Sequence, residues 1–71
     1  MEKIEIRTPF IRLDAFLKFA AVTGSGGEAK VIVQDGEVSV NNEVCTMRGK
    51  KLVAGDIVSV FGQDFLVANL S

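Results

Sequence analysis

The chain has no histidine, no tryptophan and no tyrosine, and only one cysteine and one proline. Without histidine it lacks the commonest general base and the commonest neutral metal ligand. A Ser-His or Cys-His nucleophile pair cannot be assembled from these residues. Cys45 stands alone, which excludes an internal disulfide and every multi-cysteine zinc pattern. Its ordinary reading is a small, buried or half-buried strand residue. Asp14, Asp56 and Asp64 are dispersed, so an acid-base couple is not expected. No cofactor, metal or enzymatic activity is therefore anticipated. No apolar run approaches the roughly 18 residues that would span a bilayer. Met1 to Arg7 alternates charge and apolarity and lacks the apolar stretch of a signal peptide, so the expected location is the cytoplasm.

What is present is enough apolar material to fold. Hydrophobic residues make up 48% of the 71-residue chain, too many for a disordered segment. The length fits one small domain, residues 1–71, of marginal stability, and no linker or internal repeat divides it. Eight basic and nine acidic side chains give a net charge of −1, which speaks against an indiscriminate polyanion binder. It leaves nucleic acid open, because binding depends on where charges converge.

Residues 2–7 alternate with Ile4 and Ile6 on one face, as a short edge strand does, and Thr8-Pro9 ends it. From Arg12 the period changes. Leu13, Phe16, Leu17 and Ala20 share one face of a helix, with Phe16 and Phe19 read as core residues in preference to base-stacking ones. Asp14 and Lys18 are spaced for a helical ion pair, and Gly24 suits the left-handed residue after the helix. Residues 25–40 are ambiguous on local physics. Lys30 to Val40, rich in β-branched residues around Asp35-Gly36, reads as a hairpin. Ser25-Gly26-Gly27-Glu28 instead reads as a capping box opening a helix that Gly36 would close. Strands follow at Glu37–Val40 and Glu43–Thr46 around an Asn41-Asn42 turn, then a polar, basic loop from Met47 to Lys51. Gly55-Asp56 turns into a strand over residues 57–61. A second turn, at Gly62-Gln63 or Gln63-Asp64, leads to Phe65–Ala68.

Four segments in order carry a family likeness. Ile11-Arg12-Leu13-Asp14-Ala15-Phe16-Leu17-Lys18 resembles the opening helix of S4 domains. Ser25 to Lys30, followed by Gly36-Glu37-Val38-Ser39-Val40-Asn41, resembles their second helix and hairpin, and Gly55 to Val60 their closing strand. The likeness covers about residues 10–61, and the Ser-Gly-Gly-Glu-Ala-Lys version is similar to small free-standing S4-like proteins described as ribosome-associated, of the YbcJ/YaaA type. The resemblance implies an α+β fold with the αL RNA-binding motif, two short helices packed on a small, bent, mostly antiparallel sheet. It thereby tips residues 26–35 to helix. It also implies non-catalytic binding of structured RNA, ribosomal RNA or ribosomal particles, by a monomer. Two departures stand out: Gly26 replaces the arginine many S4 domains carry after the serine, and Asn42 stands where glycine is usual.

Phosphate contacts need Lys or Arg converging on one face. Arg48, Lys50 and Lys51 form the densest local charge, either an ordinary solvated turn or a loop that grips phosphates, and the resemblance favours the second. It also carries Arg12, Lys18, Lys30 and Asn41 over as RNA-binding candidates. Ser25, Gly26 and Gly27 offer free amides at a helix start, which suit an anion, or simply a tight interhelical turn. The rival reading is a protein-binding adaptor or a structural subunit of a larger assembly.

Overall fold

The computed structural model describes residues 1–69; Leu70 and Ser71 of the expected 1–71 domain lie outside the described residues. Seven strands and two helices follow one another as β1 (Glu2–Ile6), β2 (Ile11–Arg12), α1 (Leu13–Phe19), α2 (Gly26–Gln34), β3 (Val38–Val40), β4 (Glu43–Val44), β5 (Lys51–Leu52), β6 (Ile57–Val60) and β7 (Gln63–Asn69). Five strands form a sheet in the order β1-β7-β6-β3-β4, antiparallel except for the β1–β7 pair. β1 is thus an edge strand, as its alternation predicts, but one joined in parallel to the last strand. β2 and β5 make a separate two-stranded ribbon, Ile11 opposite Leu52 and Arg12 opposite Lys51.

Alternation along the strands decides which side chains are buried. Val38, Val40, Val58, Val60, Phe65, Val67 and Ile6 all point to the helix side, and their neighbours are half-buried or exposed. Leu13, Phe16 and Leu17 of α1, with Ala29 and Val33 of α2, close the other side, and Ile32 packs partly against them. Phe16 and Phe65 meet edge to face with ring centroids 6.4 Å apart, tying α1 to the sheet.

The helix reading of residues 26–35 holds and the hairpin does not. Ser25 Oγ accepts from the Glu28 amide at 3.2 Å. Gly36, at φ +77°, ends the helix, its amide on Val33 O and that of Glu37 on Ile32 O. Val38 and Val40 pair with β6 rather than with residues 31–33. The β-branched Val33 is tolerated in a helix because burying it against α1 outweighs a propensity difference of a few tenths of a kcal/mol.

Several local expectations are corrected. α1 ends in the same hydrogen-bonded motif as α2, but the left-handed residue is Ala21 (φ +61°), not Gly24. The Ala21 amide donates to Lys18 O and that of Val22 to Leu17 O, which places the stop three residues earlier. Phe19 is 61% exposed and so does not belong to the core. Asp14 pairs with Arg12 rather than Lys18. The last turn is Phe61-Gly62, both at positive φ, with Val60 opposite Gln63, so β7 starts earlier than the Phe65 the sequence suggests. The strand after Asn41-Asn42 stops at Val44, and half-buried Cys45 follows it. Asn41 and Asn42 (φ +52° and +70°) make the expected two-residue turn, with the positive φ values of type I′. Among the described residues no helix is long and apolar enough to cross a membrane.

Candidate nucleic-acid interface

The first turn of α1 has orphan amides, and its N-cap residue Arg12 supplies no side-chain acceptor. The basic loop satisfies them instead. The Leu13 amide donates to Lys50 O at 2.8 Å and the Asp14 amide to Arg48 O at 3.0 Å. Together with the Arg12–Lys51 pairing in the ribbon, these bonds strap the loop to the start of α1. Backbone carbonyls do the fastening, so the Arg48 and Lys50 side chains remain exposed.

Arg12 lies across Gly49, where a Cβ would sit 3.6 Å from its Nη2. Its Nη2 also donates to Asp14 Oδ2 at 3.1 Å, and Asp14 Oδ1 accepts from the Ala15 amide at 2.8 Å. Asp14 therefore holds the arginine in place and neutralises part of its charge. Among the described residues this is the only ion pair, so Lys18, Lys30, Arg48, Lys50 and Lys51 take part in none. Lys51 Nζ stands 4.8 Å from the centroid of the Phe10 ring, a cation–π contact.

Arg12, Asp14, Ala15, Lys18 and Gly26 line a shallow depression of about 280 Å³, which brings the α1 cations to the start of α2. Gly26 and Gly27 are exposed, and a Cβ at Gly26 would meet open space while one at Gly27 would lie 3.8 Å from Ser25 Oγ. A countercharge is also present: the Glu28 carboxylate folds back over Gly24, where a Cβ would meet its Oε1 at 3.3 Å. Ser25 spends its side-chain oxygen on the cap. Lys30 is exposed one helical turn beyond Gly26, on the same face of α2.

Asn41 is drawn into the fold. Its Oδ1 accepts from the Ile57 amide at 2.9 Å and its Nδ2 donates to Asp56 Oδ1 at 3.1 Å, while Asp56 Oδ2 accepts from the Val53 amide. The structure brings Arg12, Lys18 and Gly26 into one depression and ties Arg48, Lys50 and Lys51 to its edge by backbone bonds, with Lys50 also lining a second depression beside Glu43. Ser25, Gly27 and Lys30 follow along the adjoining helix, and Asn41 acts as a brace. Sequence reasoning missed Asp14 as the partner of Arg12 and Phe10 as the seat of Lys51. Two-residue strands leave no periodic signal, so the ribbon that joins these parts was not legible.

The comparisons agree with this architecture. The S4 domain family model matches residues 4–68. The probable ribosome maturation protein RlbA of Bacillus subtilis (strain 168) is 48% identical over 59 residues, 83% of each chain. YbcJ of Escherichia coli (strain K12) is 36% identical over 59 residues, 83% of this chain and 84% of YbcJ. The solution structure of YbcJ, which reveals an αL motif involved in RNA binding, superposes with a TM-score of 0.73 at 32% identity, covering 96% of this chain and 87% of that one. A family match running from the first strand into the last, on a fold that superposes on that of the solved relative, is decisive: the chain belongs to the S4 domain family.

Proposed function

We propose that this protein binds structured RNA without catalysing a reaction, and that its target is ribosomal RNA in maturing ribosomal particles. The observation that carries the reading is the strapped loop, whose backbone bonds to α1 hold Arg12, Arg48, Lys50 and Lys51 at one corner of the fold. Phosphates supply most of the affinity in such complexes, and unpaired cations converging on one face are what they require. Lys18 and Lys30 extend that face along the helices. The maturation role named for the Bacillus subtilis relative and the RNA-binding motif of YbcJ support the same target class. A ribosomal partner also places the protein in the cytoplasm.

Crosslinking in cells followed by sequencing of the bound RNA tests the assignment. Ribosomal RNA or its precursors should dominate, and co-sedimentation with ribosomal particles should vanish after nuclease treatment. A partner that survives nuclease and is released by mutating no cation would establish the adaptor reading instead.

A further inference from the structure

Beside the basic face lies an apolar groove of about 470 Å³, lined by Glu5, Ile6, Arg7, Thr8, Ile11 and Phe19. Its volume falls in the range of ordinary ligand clefts, roughly 300–1,000 Å³. We propose that this groove receives an unpaired nucleobase of the bound RNA, stacked on the ring of Phe19; the proposal rests on the RNA-binding reading above.

The groove and the cationic depression are separate but draw on neighbouring residues of β2 and α1. Ala15 lines the depression and Phe19 lines the groove, one turn and so about 6 Å apart along the same face of α1. Lys18, next to Phe19 in the chain, belongs to the depression. A base next to a phosphate held on Lys18 would have the ring of Phe19 within reach. Glu5 and Arg7 balance each other in the lining, so the groove itself suits an uncharged base, while the cations for the adjoining phosphates are Lys18 in the depression and Lys51 over the exposed ring of Phe10.

Phe19 takes part in no ring pair among the described residues. Phe16, three residues earlier, is wholly buried and carries the contact to the sheet, whereas Phe19 remains 61% exposed. Sequence-specific recognition of RNA works on bases splayed out of single-stranded loops and bulges and stacked on aromatic rings. An aromatic beside a phosphate-binding surface supplies the part that cations alone cannot, namely selectivity for unpaired positions.

The test uses the full chain and purified total ribosomal RNA. After ultraviolet irradiation and digestion, nucleotide adducts should map by mass spectrometry to the peptides bearing Phe10 and Phe19. Phe19→Ala and Phe19→Leu should each weaken binding by about 5- to 100-fold, the worth of one stacked base, while the salt dependence stays as in wild type. Phe19→Trp should keep the wild-type affinity, whereas Phe19→Leu would keep it only if the ring were a mere apolar filler. Wild-type affinity in Phe19→Ala, full rescue by Leu, or adducts confined to the 48–51 loop would overturn the proposal while leaving RNA binding in place. Failure of the wild-type chain to bind ribosomal RNA at all would overturn both.

Discussion

Replacing Arg48, Lys50 and Lys51 together by alanine separates an RNA-gripping loop from an ordinary solvated one. The fold should survive, because the loop is held by the carbonyls of Arg48 and Lys50 rather than by their side chains. Arg48 and Lys50 make no ion pair among the described residues, so each costs under about 0.5 kcal/mol; Lys51 forfeits its contact with Phe10, about 0.5–1 kcal/mol at an exposed site. Binding should respond far more. If all six cations of the face neutralise phosphates, log affinity falls with log salt at a slope of about −4 to −5.5, and the triple variant flattens it by about 2 to 3 units. Between about 50 and 200 mM salt, wild type should then lose about 300- to 2,000-fold in affinity and the variant only about 20- to 40-fold. Arg12→Ala should act in the same direction but less, since Asp14 already neutralises part of that charge. Glu2→Ala, exposed on β1 beside Gly62 to Phe65 and away from these cations, serves as a control without effect. The assay is titration of ribosomal RNA at several salt concentrations, with thermal melts to confirm folding. Equal slopes for wild type and triple variant would refute the argument.

Three further outcomes concern the scaffold. Ala21→Gly should stabilise the domain by about 1 kcal/mol, raising Tm by about 4–8 °C, because only the left-handed φ of +61° is relieved and the α1 terminus keeps its bonds. Ser25→Ala should cost about 1 kcal/mol in urea unfolding through loss of the bond to the Glu28 amide. Asn41→Ala should cost about 1–3 kcal/mol, since it strands the Ile57 amide, removes one of the two bonds of Asp56 and leaves a φ of +52° that alanine dislikes. An RNA affinity unchanged at low temperature would assign Asn41 to the brace alone; a loss without destabilisation would return it to the interface.

The hydrophobic periods of this chain determined most of its elements by themselves. The stripe Leu13, Phe16, Leu17 and the alternation from Val38 to Val67 are properties of side-chain order, and each could bury its apolar face in only one way. The absence of histidine and of a second cysteine likewise closed off whole classes of chemistry without reference to any fold. Where the local signals conflicted, tertiary packing decided. Residues 26–35 carry both a cap and strong β propensity, and what tips them is burial of Ala29 and Val33 against α1, an energy no local window contains. The end of α1 fell at Ala21 because the bonds to Leu17 and Lys18 repay a strained residue, whereas sequence reasoning looked for the nearest glycine. The candidate site was half legible in the same sense. Arg48, Lys50 and Lys51 are visible as a run of charge, but their meeting with Arg12 depends on two backbone hydrogen bonds and a two-residue ribbon between segments far apart in the chain. Charge can be counted along a sequence; convergence is a property of the closed tertiary structure.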